Sequence, residues 1–230
     1  MAVLSGKEYM RIKYINLKIR AVVFFTLAAA FGFLIFCLKN DKLTVFEKCV
    51  YEKLAGYINP ALTNIMIFIT DTGSVAAIVI IILVLLAFPF TRINYGLPIA
   101  INAIFSSISN NILKILIARD RPYILRLTEE TGYGFPSGHA ANNAALYAMI
   151  IFIVLRKTDS KKIQIPVVLY GFTAVFFIGI SRIYLGVHNA ADILAGWITG
   201  VAAALLIDTV YMVIFGSKNL IQSGESAKKG

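Results

Sequence analysis

The feature that most restricts what this chain can fold into is the length of its uncharged apolar runs. Ala21–Leu38 and Ile163–Ser181 contain no Asp, Glu, Lys or Arg, and a helix needs about 20 such residues to cross roughly 30 Å of hydrocarbon. In that medium the backbone has to satisfy its own hydrogen bonds, so these runs are expected to be helices. With 59% of its 230 residues hydrophobic and only 15% charged, the chain is too apolar for a water-soluble domain. The expected organisation is one membrane domain over 1–215 followed by a flexible cytoplasmic tail over 216–230, where Gly, Ser and Lys dominate.

The runs order themselves along the chain. Helix 1 covers Ala21–Leu38 and enters from the cytoplasm behind Lys7, Arg11, Lys13, Lys18 and Arg20. A secretion signal has this charge order too, but no small-x-small cleavage site follows, and Phe36 precedes Cys37 where a lipoprotein signal needs a small residue, so the helix is read as retained. In Leu43–Ile58, Leu43, Phe46, Val50, Leu54 and Tyr57 recur at helical spacing, with Glu47, Lys48, Glu52 and Lys53 off that stripe. This predicts an amphipathic helix lying at the interface. Ala61–Thr70 is apolar but too short to cross, and is expected to lean against the bundle before helix 2 at about Val75–Phe90. Helices 3 to 6 are predicted at about Ile93–Ala118, Ser137–Leu155, Ile163–Ser181 and Ala191–Phe215. The fold class is therefore all-α: a six-transmembrane-helix bundle with an amphipathic interfacial helix between spans 1 and 2.

The net charge of +10 sits in short clusters between spans, as topology signals do, so no nucleic-acid partner is expected. Of the 22 Lys and Arg, 13 fall on the segments predicted inside and 9 on those outside, which places the amino terminus in the cytoplasm. Cys37 and Cys49 have no metal-ligand spacing and are expected to be free thiols. Asp208, near the inner end of helix 6, reads as an interfacial or packing residue.

Helix 3 carries Asn102, Ser106, Asn110 and Lys114 at every fourth position, which puts them on one face. For Asn102 and Ser106 hydrogen bonding between helices is the plainer reading. A charge at Lys114, near the end of the stripe, points to a polar cavity.

In this topology three junctions meet on the outer face. They carry Lys114 with Arg121-Pro122, then Pro136-Ser137-Gly138-His139, then Ser181-Arg182 with His188 and Asp192. Taken singly each is weak. An Arg-Pro is ordinarily a helix stop, a Ser-Gly before a helix a cap, and a His-x3-Asp pair a local hydrogen bond. Taken together, Lys-x6-Arg-Pro, Pro-Ser-Gly-His and Ser-Arg-x5-His-x3-Asp resemble the three signature motifs of the type-2 phosphatidic acid phosphatase superfamily, in order and without a mismatch, and they use both histidines of the chain. The six-helix plan resembles the integral-membrane branch of that family.

The residue types suit phosphoryl transfer. Lys114, Arg121 and Arg182 supply cations for phosphate oxygens, Ser137 a hydroxyl, and the backbone around Gly138 the free N–H groups of a helix start. Such a cradle holds charge as it spreads in the transition state. The resemblance implies that His188 is the nucleophile, forming a phosphohistidine, and that His139 protonates the leaving oxygen. Asp192, one turn beyond His188, can orient that imidazole through its far nitrogen. A metal site built from His139, His188 and Asp192 would set a divalent ion among these cations, so no metal and no cofactor is expected. Tyr123, Tyr133 and Tyr184 read as interface anchors.

The resemblance implies a lipid phosphate substrate drawn from the membrane: a polyprenyl diphosphate such as undecaprenyl diphosphate first, with phosphatidylglycerophosphate or phosphatidate as alternatives. The implied setting is a bacterial cytoplasmic membrane with the active site on its outer face. An anion transporter is the competing class, since intramembrane cations also mark permeation paths. The gathering of the charges at one end and the lack of an internal repeat count against it. Neither the chemical nature of the lipid tail nor the oligomeric state is written in these motifs.

Overall fold

The computed structural model describes residues 6–123 and 125–215, with side chains described over 17–123 and 125–214. The predicted tail at 216–230 lies outside the described residues, as do the side chains of Lys7, Arg11 and Lys13. Every regular element among the described residues is helical. In chain order these are α1 (Gly6–Lys39), α2 (Thr44–Ala55), α3 (Pro60–Thr72), α4 (Val75–Ala87), the short turn α5 (Pro89–Thr91), α6 (Leu97–Ile117), α7 (Gly138–Lys157), α8 (Lys161–Tyr184) and α9 (Ala190–Phe215). A π-helical turn, Arg92–Gly96, joins α5 to α6. Five helical stretches are long and apolar enough to cross a membrane, and α3 with α4, bent by 43°, makes a sixth. Large apolar side chains such as Phe33, Phe68, Leu83, Leu116 and Phe172 are exposed on the outside of the bundle, as a lipid-facing surface requires.

The second crossing differs from the reading that assigned it to Val75–Phe90 alone. At 13 residues, α4 spans only about 20 Å at 1.5 Å per residue, so the crossing is shared with α3. The break between them is satisfied internally. Ser74 Oγ accepts from Ala77 N at 3.2 Å to start α4, and the Gly73 carbonyl freed by the bend accepts from Asn143 Nδ2 of α7 at 2.7 Å. A Cβ at residue 73 would lie 2.7 Å from Asn143 Nδ2 and 2.8 Å from Ile178 Cγ2, so only glycine lets the bend seat against α7 and α8. Irregular backbone survives at membrane depth when it is buried in protein in this way.

α7 is the central helix, packed along α9 and flanked by α6 and α8, while α1 rides on α9 and α3 on α8. The α7/α9 seam is built from small residues. A Cβ on Gly200 would sit 2.2 Å from the Ala141 carbonyl oxygen, and one on Gly196 would sit 2.7 Å from Ala140 Cβ. Small residues four apart let two helix backbones approach closely in lipid, where association depends on packing contacts. A larger apolar cluster of Ile78, Ile99, Leu146, Met149, Ile153 and Ala204 joins α4, α6, α7 and α9 below it.

Of the two readings of Asp208, interfacial or packing, the structure shows packing, and two other side chains depart from their sequence-based expectations. Asp208 is fully buried. It pairs with Arg20 of α1 at 2.9 Å and with Arg156 of α7, and so ties α1, α7 and α9 together at one end of the bundle. Glu47, read as lying off the apolar stripe of α2, is buried, because Val50 and Leu54 of the same helix pack onto Ala140, Ile183, Ala190 and Ile193 and turn that face inward. Tyr184 is a core residue and not an interface anchor: it is 1% exposed, and its hydroxyl meets Thr63 Oγ1 at 3.0 Å and Asn59 N at 3.3 Å, tying α8 to the start of α3. Both cysteines are free, Cys37 buried and Cys49 exposed.

The seam makes a stability prediction. Gly200→Ala forces α7 away from α9 and should lower stability by about 1–3 kcal/mol, read as a lower thermal midpoint in detergent. Gly32→Ala, where a Cβ meets nothing within 4 Å, should leave the midpoint unchanged or slightly raised. Equal midpoints for the two variants would show that the seam is not close-packed.

Candidate active site

α6 ends at Ala118, whose left-handed backbone (φ 49°) sends its N–H to the Lys114 carbonyl at 2.9 Å. This stop leaves Lys114 on the last turn and releases a polar loop that returns to the start of α7. Where α6 finishes and α7 begins, beside the α8–α9 turn, lies a cavity of about 410 Å³. Lys114, Arg121, Gly138, His139 and His188 line it, together with Asn110, Asn142 and Glu130. Ser137, Arg182 and Asp192 stand behind its wall as buried groups. The structure thus gathers all eight residues singled out in the sequence at one end of the bundle.

Arg121 organises the loop. Its Nε donates to the Gly132 carbonyl at 3.0 Å, Nη2 to Thr131 at 2.9 Å and Nη1 to Val187 at 3.1 Å. The same Nη1 lies 3.2 Å from His188 Nε2. A guanidinium only donates, so Nε2 is the acceptor and the ring hydrogen belongs on Nδ1. That nitrogen faces Asp192 Oδ2 at 3.4 Å, just beyond the usual hydrogen-bond range, so a small approach completes the bond. Burial lowers the His188 pKa, the fields of Arg121 and Arg182 lower it further, and Asp192 pulls the other way; the net result is about 4. At neutral pH the imidazole is therefore uncharged, with its Nε2 lone pair turned toward Arg121.

Asp192 is fully buried and fully engaged. Its Oδ2 accepts from Asn189 N at 2.8 Å and its Oδ1 from Arg119 Nη1 at 2.6 Å. Its backbone carbonyl accepts from Ser137 N at 3.0 Å, which ties the start of α7 to the start of α9. Ser137 Oγ faces Ala140 N at 3.5 Å as the cap of α7, so this hydroxyl serves the helix start while Gly138 forms the cavity wall. A Cβ at 138 would lie 3.5 Å from Asn110 Nδ2, projecting into the space that an anion at the helix start would use.

The polar stripe of α6 divides as its positions suggested. Asn102 donates to the Ala145 carbonyl at 2.8 Å and Ser106 to Asn142 at 3.1 Å, both bonds to α7. Asn110 and Lys114 reach the cavity, Lys114 donating to the Tyr133 carbonyl.

Three participants were missed. Glu130, in the loop, holds Arg182 Nη2 and lies 3.5 Å from Arg121 Nη2, so one carboxylate sits between two of the expected phosphate ligands. Burial works against its charge, but the two arginines outweigh that and hold its pKa below the ordinary glutamate value. Arg182, 2% exposed, also donates to Thr70 Oγ1 at 2.9 Å, and its Nε has no partner among the described residues. Arg119 and Glu47 are the other two, joined by hydrogen bonds of 2.7 and 3.0 Å. Nothing in the local sequence marks Glu47 or Glu130: Arg119 and Arg182 come to them from 72 and 52 positions away, and Arg121 meets Glu130 only where the loop folds back.

The set suits a tetrahedral anion: cations on one side, helix-start N–H groups on another, a neutral imidazole lone pair beneath, and a second imidazole on the first turn of α7. Among the described residues no three His, Cys, Asp or Glu side chains are grouped as metal ligands. An apolar groove of about 260 Å³ between α4, α6 and α7 shares Val75, Ser107 and Asn142 with the polar cavity, so the two adjoin.

Comparison with known proteins agrees with this geometry. The PAP2 superfamily model matches residues 93–214. The chain is 32% identical to phosphatidylglycerophosphatase B of Bacillus subtilis over 152 residues, covering 64% of this chain and 74% of that protein. It is 28% identical to undecaprenyl-diphosphatase of Sulfolobus acidocaldarius over 155 residues, covering 64% and 70%. The crystal structure of a transmembrane PAP2-type phosphatidylglycerolphosphate phosphatase from Bacillus subtilis shares the fold, with a TM-score of 0.75 over 83% of this chain and 96% of that one at 24% identity. A family match that takes in all three motif junctions, on a bundle that brings them to one cavity, places the chain in the PAP2 superfamily.

Proposed function

We propose that this chain is a metal-independent lipid phosphatase of a bacterial cytoplasmic membrane, acting at the outer face. Its substrate is a lipid carrying a terminal phosphate: a polyprenyl diphosphate such as undecaprenyl diphosphate first, and phosphatidylglycerophosphate or phosphatidate by the same chemistry. The observation that carries this reading is the neutral His188 lone pair beside Arg121, at the base of a cationic cavity that adjoins an apolar groove. Phosphate fits the first part and a lipid tail the second. The relatives named above carry lipid phosphates in their names, which supports the substrate class.

In this mechanism Lys114, Arg121, Arg182 and the N–H groups at Gly138 hold the phosphate oxygens, with Glu130 displaced from the two arginines. Arg121 Nη1 turns from His188 Nε2 to a phosphate oxygen, the freed Nε2 lone pair attacks phosphorus, and the bond to the leaving oxygen breaks as His139 gives it a proton. Asp192 accepts the Nδ1–H and stabilises the positive ring of the phosphohistidine. Water then attacks the same phosphorus while His139 takes its proton, which frees His188 and inorganic phosphate. Charge stabilisation comes from fixed cations, so the scheme calls for no metal.

Four outcomes follow. Purified protein given polyprenyl diphosphate or phosphatidate with excess chelator should release phosphate. His188→Ala should cut the rate by about 10³-fold or more, and full activity in that variant would dismiss the nucleophile assignment. Because the chain has two histidines, a His139→Gln variant leaves one imidazole for nuclear magnetic resonance. His188 should then titrate near 4, staying neutral from neutral pH down to that region and gaining its proton only below it; a midpoint near the ordinary value of about 6.5 would contradict a buried, uncharged ring. Finally, Glu130→Gln removes a carboxylate that competes with phosphate and should lower KM by about 3–10-fold with kcat little changed. A raised KM would mean that Glu130 holds the arginines in their binding positions.

A further inference from the structure

The interfacial helix α2 is wired to the catalytic carboxylate. On this helix Lys48 and Glu52 point outward, with side chains 72% and 62% exposed, whereas Glu47 is 8% exposed. A carboxylate withdrawn from water needs a partner, and Glu47 has a two-pronged one in Arg119: Nη1 to Oε1 at 3.0 Å and Nη2 to Oε2 at 2.7 Å. The same Nη1 reaches Asp192 Oδ1 at 2.6 Å. Among the described residues Arg119 supplies the hydrogen bond to that oxygen, while the other oxygen serves Asn189 N and faces His188. Val50 and Leu54 of α2 pack against Ile183 and Ile193, on the helices that carry Arg182 and Asp192.

Resting on the phosphatase reading above, we propose that Glu47 and Arg119 are positioning residues: the interfacial helix, through Arg119, fixes the rotation of the Asp192 carboxylate and with it the aim of the His188 ring. Arg119 touches neither the reacting phosphate nor the cavity wall, so its removal should act on turnover and spare substrate binding.

The test is steady-state kinetics on the lipid phosphate that the wild type hydrolyses, paired with thermal unfolding of each variant. Arg119→Ala should lower kcat about 100-fold with KM within about twofold, and Glu47→Gln should lower kcat about 10-fold. Arg119→Lys keeps a cation on Asp192 and should recover about 10-fold over the alanine variant. Lys48→Ala, on the exposed face of the same helix, should match wild type. The exchange Glu47→Arg with Arg119→Glu restores an ion pair between α2 and the loop but sets a carboxylate against Asp192. It should regain thermal midpoint without regaining kcat. Recovery of both, losses that appear in KM, or losses in kcat no larger than the loss of folded protein would overturn the positioning role. An inert wild type would sink the phosphatase reading and this inference together; an active wild type with Arg119→Ala unimpaired sinks this inference alone.

Discussion

The buried carboxylate of Asp192 is the group on which the reactive end of this bundle depends. A lone charge without solvent contact is destabilising by several kcal/mol, so each element that meets Asp192 is held there by what it supplies. The loop after α6 gives Arg119, the α8–α9 turn gives the Asn189 N–H and His188, and the start of α7 is anchored through Ser137 N to the Asp192 carbonyl. The approach is close: a Cβ added to Gly134 would lie 3.3 Å from Oδ2. Three sequence motifs become one site because each contributes a donor to the same residue.

The opposite end of the bundle uses the same device for a different purpose. Asp208 is buried between Arg20 and Arg156, joining α1, α7 and α9. No imidazole lies in that cluster, and its one carboxylate is shared between two arginines. At the cavity end Arg121 and Arg182 share one carboxylate, Glu130, and Lys114 joins Arg121 on the cavity wall, so cations face the space an anion would fill. Cations turned toward a cavity, combined with a neutral histidine, separate a site from a lock.

Much of this was legible in the sequence, for identifiable physical reasons. Spans declared themselves because hydrocarbon tolerates few charges, and the four-residue repeat of Asn102, Ser106, Asn110 and Lys114 marked the α6 face that meets α7 and the cavity. The interfacial helix was legible from its apolar stripe. What escaped detection depends on distant partners. The bend between α3 and α4 is stable because Asn143, on another helix, satisfies the Gly73 carbonyl. Glu47 and Glu130 look like solvated surface charges until Arg119, Arg121 and Arg182 fold against them. Tyr184 looks like an interface anchor until Thr63 and Asn59 enclose its hydroxyl.

The central claim is that the His188 lone pair becomes a covalent phosphate carrier. The direct test is to quench the enzyme with alkali during turnover and map covalent phosphate by peptide mass spectrometry. The account predicts phosphate on the peptide containing His188, bound at Nε2, and its absence in His188→Ala. Phosphate on His139 or Ser137, or hydrolysis that proceeds through no phosphoenzyme under conditions that preserve phosphohistidine, would contradict it.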